Sequence, residues 1–217
     1  MKTKETTGNQ ITEGVIWKQL LFFFFPIMLG TLFQQLYNTA DAVVVGRFVG
    51  TKALAAVGGS TGQMVNLIVG FFVGLSSGAT VIIARYYGAK NKKDLNDTLH
   101  TAAALSVAGG ILITIAGILL TPAMLQIMKT PADVMADSAT YLRIYFGGII
   151  FVFIYNVGSA ILRAVGDSTR PLYFLIVCCF INIFLDIVLV VGFDMGVAGA
   201  AIATVASQAV SAVLVIH

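Results

Sequence analysis

The sequence predicts an all-α integral membrane protein, a bundle of six transmembrane helices, and three observations carry that prediction. Of 217 residues, 58% are hydrophobic and only 11% are charged, where soluble domains carry roughly 25% charged residues. The apolar residues fall into six runs, each of about 20 residues or more and so long enough to cross a hydrocarbon layer as a helix. Strands are excluded by cost, because an open sheet edge in lipid leaves backbone groups unpaired whereas a helix satisfies its own.

The division is a polar cytoplasmic lead-in over residues 1–16 and a six-helix transmembrane unit over 17–217. Lys2 and Lys4 ahead of an apolar segment also suit a secretory signal peptide, but that segment starts late, runs long, contains Pro26 and is followed by no convincing small-residue cleavage site. The first run, Leu20–Val45, contains Pro26, which removes an i to i−4 bond and is expected to bend or loosen the helix. Phe22 to Phe25 in the same run face lipid or core. In the second run, Ala53–Ala84, Gly70, Gly74 and Gly78 repeat at i+4, joined by Gly58 and Gly62, a spacing that lets a helix approach a neighbour closely. The third run is Leu99–Leu120. Thr130, Pro131 and Asp133 then read as an N-cap, a first-turn proline and an acid at the third position, starting a fourth helix whose apolar part is Leu142–Leu162. Arg143 near its end is placed to snorkel to the interface. Gly166, Asp167, Ser168 and Pro171 read as a helix stop, a polar turn and a new start. The fifth and sixth runs are Leu172–Val191 and Val197–Ile216.

Orientation follows from the basic residues. The N-terminus and the second and fourth connections hold Lys2, Lys4, Lys18, Arg85, Lys90, Lys92, Lys93, Arg163 and Arg170, whereas the other connections hold Arg47, Lys52 and Lys129. The positive-inside rule therefore places both ends of the chain in the cytoplasm, and the expected location is the plasma membrane. A net charge of +3 gives no reason to expect nucleic acid as a partner. Cys178 and Cys179 are adjacent inside an apolar run and build neither a disulfide framework nor a metal site. His100 and His217 lack metal-ligand spacing and a nucleophilic partner, and no phosphate loop or Gly-x-Ser-x-Gly is present, so an enzyme with a cofactor is not expected.

The informative residues are the acids inside spans, because each is expensive there unless it faces a cavity or a partner. Of ten acids, Asp41 and Asp186 are the two so placed. With helix 1 ending near Gly46 and helix 5 near Gly192, Asp41 lies about 8 Å and Asp186 about 9 Å below the same face at 1.5 Å per residue. Asn182 precedes Asp186 by one turn, and Thr204 enters helix 6 from that face by about 10 Å. Two carboxylates, an amide and a hydroxyl in one layer suit a proton held by a buried carboxylate or a hard cation such as Na⁺. Each of these residues also suits an interhelical hydrogen bond, the ordinary glue of membrane bundles. Gln34, Tyr37, Asn38 and Asn156 are further polar residues within spans, suited to a cavity wall or to packing.

Several short motifs in order resemble the MATE (multidrug and toxic compound extrusion) transporters, and within them the DinF-like branch. They are Pro26, Asn38 to Asp41, Val45 to Arg47, Ala53 to Val57, Ala84 to Ala89, Leu162 to Asp167 with Arg170 and Pro171, Asn182 to Asp186, and Gly199 to Thr204. The resemblance runs through the whole chain. It implies twelve helices in two pseudo-symmetric six-helix lobes around an alternating central cleft, of which this chain looks like the N-terminal lobe, a truncated frame or excised half lacking the C-terminal lobe as its partner. It implies export of amphipathic, often cationic, drug-like compounds in exchange for H⁺ or Na⁺. Asp41, Asn182, Asp186 and Thr204 would then hold the cation, while Tyr37, Gln34 and Asn156 line the drug cavity. A lipid-linked oligosaccharide flippase of the same superfamily would need a cationic cavity, for which the spans offer Arg143 alone. A non-transporting membrane assembly subunit is the remaining alternative.

Overall fold

The computed structural model describes residues 16–217, so the lead-in over 1–15 with Lys2 and Lys4 lies outside the described residues. Eight α-helices follow in order: α1 (Ile16–Val44), α2 (Thr51–Gly58), α3 (Ser60–Gly88), α4 (Lys92–Ile127), α5 (Met135–Gly147), α6 (Ile149–Ala164), α7 (Thr169–Asp186) and α8 (Gly196–Ile216). No strand occurs among the described residues. Two π-helical turns, Val45–Val49 and Ile187–Gly192, extend α1 and α7. With each extension joined to its helix, α2 joined to α3, and α5 joined to α6 across a 50° bend, the helices make the six expected spans.

The differences from the expected elements have local causes. The second span is interrupted at Gly59, where a Cβ would strike the Ala55 carbonyl and the backbone leaves helical geometry. The third span does not stop at Leu120. It runs through Pro122 to Ile127, while the neighbouring Thr121 hydroxyl donates to the Gly117 carbonyl at 2.6 Å. α1 likewise runs from Ile16 to Val44 through Pro26 without a break in the helix.

Thr130 does not cap the next helix. Its backbone N–H donates to the Leu125 carbonyl and that of Lys129 to the Gln126 carbonyl, the paired bonds that close a helix C-terminus around a left-handed residue, here Lys129 at φ 54°. Residues 131–134 then form a turn, and α5 begins at Met135 behind Val134, with no side-chain cap. The same closure ends α3 at Lys90 (φ 55°) and α6 at Gly166 (φ 93°), the one of the three where glycine takes the left-handed position. Asp167 then caps α7, accepting from the N–H groups of Thr169 and Arg170 at 3.1 Å.

α8 packs against α5, α6 and α7, and α1 lies along α7. Of the largest buried side chains, Phe146, Phe153, Leu142 and Ile149 come from α5 and α6 and, with Leu125 of α4, form the core beside α8, while Ile83 is buried on α3. Close helix approaches occur where glycine faces a bulky neighbour. A Cβ at Gly117 would run into the Phe146 ring, and one at Gly158 into Val215. The stripe of Gly70, Gly74 and Gly78 does not do what its spacing suggests, because a Cβ at any of the three meets open space. Phe22, Phe24 and Phe25 are exposed and Phe23 is half-buried, so the aromatic run mostly faces lipid.

Candidate functional site

The fold brings the two intramembrane acids together. Asp41 on α1 and Asp186 on α7 are 6% and 0% exposed, and the Asp41 carboxylate faces Asp186, Asn182 and Thr204. Thr204 Oγ1 lies 3.1 Å from Asp41 Oδ2 and 3.0 Å from the Ala200 carbonyl, so two acceptors compete for one hydroxyl hydrogen. The remaining polar atoms are buried without a hydrogen-bond partner: Asp41 Oδ1, both Asp186 oxygens, and both amide atoms of Asn182. Such orphaned atoms are rare in native proteins and costly in a low-dielectric interior. No ion pair among the described residues involves either acid; the Arg170–Asp167 pair lies elsewhere, at the start of α7. The four residues that the depth arithmetic assigned to one layer are thus one cluster, built by α1, α7 and α8.

Both acids stand at the entrance to a π-helical turn. Asp186 is the last α-helical residue before Ile187, and Asp41 lies four residues before Val45. The turn beyond Asp41 carries the helix to Val49, three residues past its expected end at Gly46, and the two π-helical turns touch each other and α8.

Beside the cluster lies a cavity of about 330 Å³ between α1, α3, α6 and α7, and Gln34, Tyr37 and Asn156 all line it, as does Pro26. Tyr37 belongs to both places, since it lines the cavity and precedes Asp41 by one turn of α1, on the same face. Gln208 Nε2 points at the Tyr37 hydroxyl at 3.5 Å. Asn156, which lines the cavity from α6, donates its Nδ2 to the Val152 carbonyl at 2.8 Å.

Three contributors escaped the sequence reading. Gln208 follows Thr204 by one turn, a spacing that puts them on one face of α8 and that could have exposed it. Tyr141 on α5 is buried against Asp41 and Thr204, and stacks on Tyr145 with ring centroids 6.3 Å apart. Arg163, counted above as a residue of a cytoplasmic connection, lines the inner cavity wall. The cavity therefore has a guanidinium that the spans did not suggest, whereas Arg143 is exposed, as snorkelling requires.

A family model named MatE matches residues 26–188, three quarters of the chain and every element from α1 to α7. This chain belongs to the MatE family. Among curated relatives, the probable multidrug resistance protein YpnP of Bacillus subtilis (strain 168) is 34% identical over 92% of this chain. The match covers 45% of YpnP, and this MatE-family chain spans a little under half the length of the curated relatives it matches. Among solved structures, the outward-facing conformation of a multidrug resistance MATE family transporter of the MOP superfamily superposes with a TM-score of 0.88 at 30% identity, over 98% of this chain and 47% of that one. The inward-facing conformation gives 0.78 over 84% of this chain. The relatives of this MatE-family lobe are transporters rather than enzymes, and its apolar helices make it a multi-pass membrane protein.

Proposed function

We propose that the chain is the N-terminal lobe of a cation-coupled antiporter that exports amphipathic, often cationic organic compounds by alternating access. In this reading Asp41, Asn182, Asp186 and Thr204 hold the coupling H⁺ or Na⁺. Gln34, Tyr37 and Asn156 meet the exported compound, and a second lobe closes the cavity. Both ends of this chain lie on the cytoplasmic side of the plasma membrane, as the basic residues indicate. The observation that carries the reading is the convergence of buried, unpartnered oxygens on one point between α1 and α7.

Two ionised carboxylates facing each other in a buried site repel strongly, and no protein cation is paired with them among the described residues. A proton shared between them, or a Na⁺ ringed by their oxygens with those of Asn182 and Thr204, removes the repulsion. Tyr37 ties this event to the cavity, because a guest that moves its ring also moves the wall of the ion site. If ion and guest favour different arrangements of α1 and α7, each expels the other, which is exchange.

The test is thermal stability of the purified protein across Na⁺ concentration and pH, wild type beside Asp186→Asn. Binding of the coupling ion to the folded state alone raises stability by about 2.7 kcal/mol at a hundred times the dissociation constant. The expected result is a melting temperature that rises with Na⁺ or with acid and does so only in the wild type. In the whole transporter, Asp41→Asn is expected to abolish coupled efflux while leaving insertion intact. Normal export by that variant would overturn the reading.

A further inference from the structure

A second and larger cavity, about 600 Å³, lies between α3 and α4 with Phe153 and Val157 of α6 as its floor. We propose that it is a lipid site: it takes one acyl chain of a phospholipid with a primary-amine headgroup, from the leaflet next to the α3–α4 connection, with the ammonium group against Asp94 and Asp97. The site is separate from the ion cluster, and nothing in the antiport reading depends on it.

The length of the cleft fits one leaflet. Its α4 wall runs from Asp94 to Ser106, twelve positions or about 18 Å, against roughly 15 Å for half a hydrocarbon core. The walls are narrow because the residues are small: Gly78 and Ala79 on α3 face Ala102 on α4, and a Cβ at Gly78 would meet only open space. Polar side chains along α4 are turned back on their own helix. Thr98 donates to the Asp94 carbonyl, Thr101 to that of Asp97 and Ser106 to that of Ala103, each at 2.7 Å. Apart from Ser76 and Tyr86 on α3, what remains facing the cleft between its mouth and floor is hydrocarbon, and Leu75, Ile82 and Leu105 at its rim are about half exposed, as lipid-facing residues are.

The chemistry of the mouth selects the headgroup. Asp94 and Asp97 are the charged residues lining the cleft, and neither is in an ion pair among the described residues. One Asp94 oxygen accepts from Asn91 Nδ2 at 2.7 Å, which fixes the carboxylate at the first turn of α4. Arg85, Lys90, Lys92 and Lys93 stand at the same connection but outside the lining. Acids inside and bases outside match a zwitterion whose amine points in and whose phosphate points out. A primary ammonium offers three N–H donors to carboxylates, while a choline group offers none. A purely anionic headgroup would bring its phosphate toward the acids.

The experiment uses the transporter as the cell makes it, delipidated in detergent and then mixed with dioleoyl-phosphatidylethanolamine, the choline analogue or the glycerol analogue. Retained lipid is read by native mass spectrometry and stabilisation by thermal unfolding. The ethanolamine lipid is expected to be retained roughly tenfold better than the choline lipid, the scale of one charge-assisted hydrogen bond. Asp97→Asn should bring the two toward parity while a lipid still binds, and Ala102→Phe, which fills the cleft, should remove lipid of either kind. Equal retention of all three lipids by the wild type overturns the proposal, as does an ethanolamine preference that survives both substitutions. If dodecyltrimethylammonium, and not the phospholipid, is the species that Ala102→Phe excludes, the cleft is a substrate site and the lipid assignment fails.

Discussion

α4 and α8 are both apolar and long enough to cross a membrane, yet they are built in opposite ways. Half of the crossing stretch of α8 is buried, against 11% of that of α4. The buried helix carries a polar stripe inside: Thr204, Ser207, Gln208 and Ser211 are all buried and fall at i, i+3, i+4 and i+7, whereas the buried polar side chains of α4, Ser106 and Thr121, each bond back to their own helix. α4 turns Leu112, Ile115 and Leu119 outward, each more than half exposed. The difference teaches that water no longer sorts the side chains. Lipid is as apolar as a leucine core, so bulk goes to the lipid and small or polar groups go where helices meet.

That contrast is sharpest for residue size. Gly158→Leu forces a side chain into Val215 on α8, and overpacking of this kind costs about 1–3 kcal/mol. Gly74→Leu on α3 meets open space and is expected to leave lobe stability unchanged or raise it by up to about 0.8 kcal/mol through helix propensity. Unfolding of both variants in mixed micelles decides whether the two regions differ as described; equal losses would break the comparison. For hydrogen bonding the expected gap is narrower. Thr204→Val loses the contact with Asp41 and should cost about 1 kcal/mol, whereas Ser106→Ala loses only a bond to its own helix and should cost close to nothing. The smallest effect belongs to a helix end outside the comparison. Lys129→Gly relieves a left-handed lysine and should raise stability by about 0.5–1 kcal/mol, visible as a small upward shift in melting temperature.

The six spans were legible because length and apolarity are all a bilayer demands of a helix. The meeting of Asp41, Asn182, Asp186 and Thr204 was legible because rise per residue converts sequence position into depth, and the membrane supplies a common zero. Helix ends were less so. Gly166 announced its closure, but Lys90 and Lys129 take the same left-handed conformation without glycine, and Thr130, with a capping sequence after it, spends its N–H on closing α4 instead. The glycine repeat on α3 misled because spacing shows that a close approach is possible, while only a partner makes it real. Gln208 and Tyr141 were missed because the groups they meet, Tyr37 for one and Asp41 with Thr204 for the other, come from elsewhere in the chain.

The π-helical turns beyond Asp41 and Asp186 have one more consequence. Such a turn is an α-helix with a residue to spare, taken up locally as a wider i→i+5 turn. At these two places the helix can hold one residue more than a plain α turn would without breaking. When this lobe is aligned with a relative whose helices end in plain α form, a single-residue gap is expected within 45–49 or 187–192, with the acids on the near side of it still in register.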